Sequence, residues 1–141
     1  MSAFQDLVGT WRLLSIQFEM GDTGETVDAW GANPTGWLIL TAEGRLMTVA
    51  TPADRPSPES DADAARVLKN MTCYTGRTRM EGVNRWVTDV EAAWHPDIVG
   101  SRQARNFRLE GDRLFIRSAP QTRPAWPNRL VTSVLAWRRE A

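Results

Sequence analysis

The feature that most constrains this chain is a repeated rhythm of short alternating runs. Apolar and polar residues take turns over six to eleven positions, and the runs are separated by clusters rich in Gly, Pro, Asn, Asp and Glu. Alternation at period two puts one face of a strand in a core and the other in water, and the clusters between runs mark turns. Eight runs can be drawn: 10–20, 36–41, 45–50, 72–80, 84–94, 100–109, 113–118 and 129–139. Most connections are short, which favours antiparallel neighbours. Between the third and fourth runs the pattern breaks over 51–61, which holds three prolines. There Ser57-Pro58 reads as a helix cap followed by the first helical residue. Residues 59–70 read as a short helix with Ala64, Val67, Leu68 and Met71 along one side.

The predicted fold is therefore all-β: an eight-stranded antiparallel up-and-down β-barrel with one short helix between strands 3 and 4. It is a single domain over residues 1–141. Closing the sheet removes exposed strand edges, and a ring of eight strands is wide enough to hold one small ligand. A two-sheet sandwich is the competing architecture.

Parity then sorts the side chains. In 100–109 the apolar Phe107 and Leu109 set the inner face, and the same parity carries Gln103 and Arg105 inward. A buried guanidinium is costly unless compensated. Arg105 therefore either pairs with an internal acid or meets a carboxylate or carbonyl of a ligand. In 84–94, Trp86, Thr88, Val90, Ala92 and Trp94 share the inner face. In 72–80, Tyr74, Gly76, Thr78 and Met80 do so, with Gly76 marking a bulge or a close approach. In 10–20 an inward Trp11 brings Leu13, Ser15 and Gln17 with it, which leaves Leu14, Ile16, Phe18 and Met20 outside. Such an outward row would need cover from the helix or from a second subunit, as in a homodimer.

Composition narrows the function classes. Seventeen basic residues balance seventeen acidic ones, with no basic stripe of the kind that grips nucleic-acid phosphates. No apolar run is long enough to span a bilayer as a helix. A lone Cys73 makes no internal disulfide and fits a reducing compartment. The segment Met1 to Leu7 has neither the basic nor the apolar region of a secretory leader. A cytoplasmic protein is expected, without nucleic-acid or membrane partners. His95 is the only histidine. One His with one Cys makes no zinc set, and its position before Pro96 suits a strand end better than haem ligation. Nucleotide phosphate loops are absent. No metal or other cofactor is expected.

Several segments carry a resemblance. They include Leu7-Val8-Gly9-Thr10-Trp11-Arg12-Leu13, Asn33-Pro34-Thr35-Gly36-Trp37, Thr41-Ala42-Glu43-Gly44-Arg45-Leu46 and Tyr74-Thr75-Gly76-Arg77. Arg105-Asn106-Phe107 and Gly111-Asp112-Arg113-Leu114 follow, and Leu135, Trp137 and Arg139 stand near the end. In this order the set resembles the lipocalin-like domain proteins of bacteria and fungi. The resemblance implies that Trp11 plugs the closed end of the barrel and that Arg139 packs across it. Where the family often carries a His in strand 5, this chain has Thr88 and Asp89, and Ile98 stands where an aromatic is frequent. The resemblance names no ligand, because one fold hosts many functions.

The sequence thus predicts a small apolar or amphipathic molecule inside the barrel. Trp37, Trp86, Trp94 and Trp126 would supply aromatic contact, and Tyr74, Thr78, Thr88 and Gln103 polar contact, with Arg105 as the anchor. The alternative is a cofactor-independent isomerase or cyclase for a polyketide, terpenoid or aromatic metabolite. It would use Tyr74, His95 and Arg105 as donors and acid or base around a carbonyl or enol.

Overall fold

The computed structural model describes residues 4–28 and 30–140; residues 1–3, 29 and 141 lie outside it, and with them the first three residues of the segment read for a leader. Ten strands and two short α-helices follow one another among the described residues. They are α1 (Phe4–Leu7), β1 (Gly9–Met20), β2 (Thr26–Val27), β3 (Thr35–Leu40) and β4 (Arg45–Thr51). Then come α2 (Asp61–Lys69), β5 (Thr72–Met80), β6 (Arg85–Ala93), β7 (Arg102–Glu110), β8 (Arg113–Ser118), β9 (Gln121–Arg123) and β10 (Trp126–Arg139). Among the described residues no helix is long and apolar enough to cross a membrane.

Eight of the strands make a closed antiparallel barrel in the order β1-β3-β4-β5-β6-β7-β8-β10, and β10 pairs back onto β1 from Trp11↔Arg139 to Met20↔Val131. The barrel is the architecture that the alternating runs predict. β2 and β9 are additions. β2 pairs with Phe18 and Glu19, beyond the stretch of β1 that β3 covers, and β9 pairs with the part of β10 that β8 leaves open.

The outward aliphatic row expected on β1 does not form. A bulge between Leu13 and Ser15, at Leu14, shifts the register against β10. An extra residue flips the parity beyond it. Trp11 and Leu13 point inward before the bulge, and Ile16, Phe18 and Met20 point inward after it. A helix or second subunit covering that row is no longer called for.

A second bulge lies between β5 and β6. Thr75 faces Ala92 while Gly76 faces Val90, so Glu91 is the extra residue. Gly76 lies so close to β6 that an added Cβ would sit 2.1 Å from the Asp89 carbonyl oxygen. Ala92, expected inside, is exposed, and Ala93 packs toward the core in its place.

The helix between the third and fourth long strands starts later than Ser57 suggests. Its cap is Ser60, whose hydroxyl accepts from the Asp63 N–H at 3.1 Å, while the Asp63 carboxylate accepts from the Glu59 N–H. The Ser60 hydroxyl satisfies one donor that the helix start would leave open, and the Asp63 carboxylate ties back the residue before the cap. No residue of α2 is buried. It stands between β4 and β5 at one end of the barrel, tied to the end of β6 by the Trp94 indole N–H on the Leu68 carbonyl at 2.9 Å and to its own preceding loop by Arg55 on the Val67 carbonyl.

The other end is shut. The Trp11 Nε1 donates to the Leu7 carbonyl at 3.0 Å, which ties α1 across the opening. The Arg139 guanidinium lies 4.2 Å from the Trp11 ring centre and donates to the carbonyls of Val8 and Asp6. Gly9, at φ +140, leaves room for this: a Cβ there would sit 2.8 Å from the Arg139 Nη1. The Gly-x-Trp at 9–11 is thus a backbone clearance followed by a plug.

Candidate functional site

Between the plug and the α2 end the barrel encloses a void. Its wall includes Ile16, Leu38, Ile116, Leu135, Trp86 and Trp137, with Tyr74, Arg105 and Arg123 as the large polar contributors. The cavity volume is about 40 Å³. An apolar cavity of roughly 150 Å³ takes a benzene ring. This void is therefore open to a group of a few atoms, and a ring enters only if side chains move.

Strand parity delivers Arg105. It sits on β7 between Gln103 and Phe107, all three inward, and is 9% exposed. Its Nη1 donates to the Ala104 carbonyl at 2.9 Å and its Nη2 to the Gln103 Oε1 at 3.1 Å. Gln103 is in turn held by the Ser101 hydroxyl at 2.8 Å. The internal acid that the sequence left open is not there: no Asp or Glu is buried among the described residues. The guanidinium is oriented by neutral oxygens, and its charge is not neutralised by them.

Arg123 enters from β9, a strand too short to carry any alternation. Its Nη2 donates to the Thr72 hydroxyl at 3.0 Å, and its guanidinium stands 5.1 Å from the Phe18 ring centre. The residue keeps some exposed surface, yet its Nε is sealed from solvent without an acceptor. Burial first and the nearby Arg105 charge second push its pKa down to about 10, with Tyr74 acting in the opposite sense.

The other sequence-predicted residues divide. Trp86 lines the void and stacks on Phe107 at 5.3 Å between ring centres. Tyr74 lines it as well. Thr78 and Thr88 are buried but bond to each other at 2.7 Å, away from the lining. Gln103 orients Arg105 without reaching the void itself. Three tryptophans are elsewhere. Trp37 points outward, with its indole N–H on the Glu140 carboxylate at 2.8 Å, because on β3 it alternates with the inward Leu38 and Leu40. Trp94 lies past the Glu91 bulge and turns to α2. Trp126 packs on Phe18 at 5.1 Å rather than on the void.

His95 is also outside. It caps a short 3-10 turn at Pro96–Ile98, where its Nδ1 accepts from the Asp97 N–H at 3.2 Å. The acid–base set of Tyr74, His95 and Arg105 is therefore not assembled; only Tyr74 and Arg105 line the void. Among the described residues no group of three His, Cys, Asp or Glu side chains could hold a metal ion.

Sequence reasoning missed Arg123 and Trp137 as lining residues. Trp137 was legible in part, since it shares a strand face with Leu135 along the last run. A family model described as a lipocalin-like domain matches residues 8–140. No curated protein matches the chain.

Proposed function

The chain belongs to the lipocalin-like domain family, and on that premise we propose that it holds a small, mostly apolar molecule inside the barrel, anchored through Arg105. A barrel domain of this kind suggests small-molecule binding in general. The observation that carries the finer reading is a buried guanidinium without a buried acid, opening onto a mostly apolar void. Apolar wall supplies contact area and a few placed polar groups supply orientation, as in most small-molecule sites. The cofactor-independent isomerase or cyclase would occupy the same void, but with His95 elsewhere it keeps only Tyr74 and Arg105 and lacks a second acid–base group. Binding without turnover is the better-supported reading.

Trp86 and Trp137 make the test direct. Titrating the protein with a broad panel of small apolar molecules bearing one polar group should change Trp emission for some of them. Arg105→Met should weaken those same ligands by roughly ten- to a hundredfold, the usual worth of a hydrogen bond to a charged group. No emission change across the panel would refute the proposal.

A further inference from the structure

The side chains around the void carry a surplus of donors. Three buried side-chain nitrogens of the described residues have no hydrogen-bond partner: Trp86 Nε1, Trp137 Nε1 and Arg123 Nε. All three are N–H donors, and all three belong to side chains that line this one void. Arg105 lines it too, and neither it nor Arg123 meets a buried carboxylate. On the outer surface arginines are treated differently: Arg45, Arg79, Arg102, Arg117 and Arg129 each pair with an Asp or Glu.

A buried donor left open is costly, and a buried charge left open more so. Two guanidiniums facing one void also repel each other. The missing complement is an acceptor with negative charge. A neutral carbonyl would satisfy one donor and leave both charges standing, and a cation would be repelled. A carboxylate offers two oxygens with about four lone-pair sites and matches the guanidinium fork. Resting on the binding reading above, we infer that the guest is a slim unbranched carboxylate, whose head Arg105 and Arg123 hold together inside the barrel. The head fits the space available. The tail is an unbranched chain, because a ring does not fit the void as it stands.

Calorimetry on the full chain with hexanoate, hexan-1-ol, hexylamine and inorganic phosphate tests this. Hexanoate should bind at least tenfold more tightly than the other three. Arg123→Met should weaken hexanoate at least tenfold, while the ligand-free variant melts no lower than the parent, since it has lost an uncompensated buried charge. Arg123→Gln serves the same purpose should the Met variant not fold. Hexanol binding as well as hexanoate would overturn the anion and leave the binding reading intact. Phosphate matching hexanoate would overturn the carboxylate in favour of a bare oxyanion site. Hexanoate failing to bind overturns the inference, and the binding reading falls with it only if the broad panel also fails. A variant that melts lower but binds unchanged would make Arg123 structural and overturn its role.

Discussion

Arg123 carries its charge where burial and a like neighbour both oppose it, and this sets a pH dependence. With its pKa held at about 10, the guanidinium is charged throughout the neutral range and loses its proton only above that value. Hexanoate affinity should therefore be flat from pH 7 to 9 and fall above 10. The folded state disfavours the charged form, so the penalty is fully present below pH 10 and is relieved as pH rises toward the ordinary arginine range. Arg105 and Tyr74 are the charged and titratable groups that act on it. Because Tyr74 also acts on Arg123, the decisive measurement uses Tyr74→Phe: its affinity should still fall above pH 10, and a flat profile would overturn the assignment to Arg123. At this scale the sequence showed what parity can show. Arg105 was readable because Phe107 and Leu109 fix the inward face of its strand. Arg123 was not, because three residues between prolines and turns carry no period. Trp content pointed to indoles in the wall but could not say which, and Trp37 and Trp94 went to the surface and to α2.

Elements were legible where they were long. All eight barrel strands follow from alternation and turn clusters, while β2, β9 and α1 are too short to leave a pattern. The two bulges were the costly omission, since each is a backbone event that the residue pattern disguises. Leu14 looks like one more aliphatic in a row, yet as the extra residue it turns Ile16, Phe18 and Met20 inward. Gly76 did leave a trace, as a glycine in mid-strand. Its role is steric: β6 passes so near that a methyl group has no room. Gly76→Ala should destabilise the protein by about 1–3 kcal/mol, the usual range for overpacking, seen as an earlier midpoint in urea. An unchanged midpoint would mean that the bulge relaxes freely.

At the scale of the whole molecule the question is what keeps the ring shut. The first and last long strands pair only with each other at the seam, so closure depends on β1 meeting β10. Arg139 sits at that seam and does three things at once: it covers the Trp11 ring, donates to the Val8 carbonyl and donates to the Asp6 carbonyl. Arg139→Gln removes the stacked charge and most of the fork, at an expected cost of about 2–4 kcal/mol. Where that cost appears distinguishes two pictures. If the plug only tidies one end, amide exchange should speed up near Trp11 and Trp137, and β5 and β6 across the barrel should keep their protection. If closure is a property of the ring, the loss is global. Amides of the β5–β6 pair around Thr78 and Val87 should then exchange faster by the same factor as those of the seam, roughly thirty- to several-hundredfold. The second outcome is expected, because every barrel strand takes both its neighbours from the ring and opening the seam exposes the common core to water. Exchange confined to the seam would show instead that the barrel behaves as an open sheet with a fastened edge.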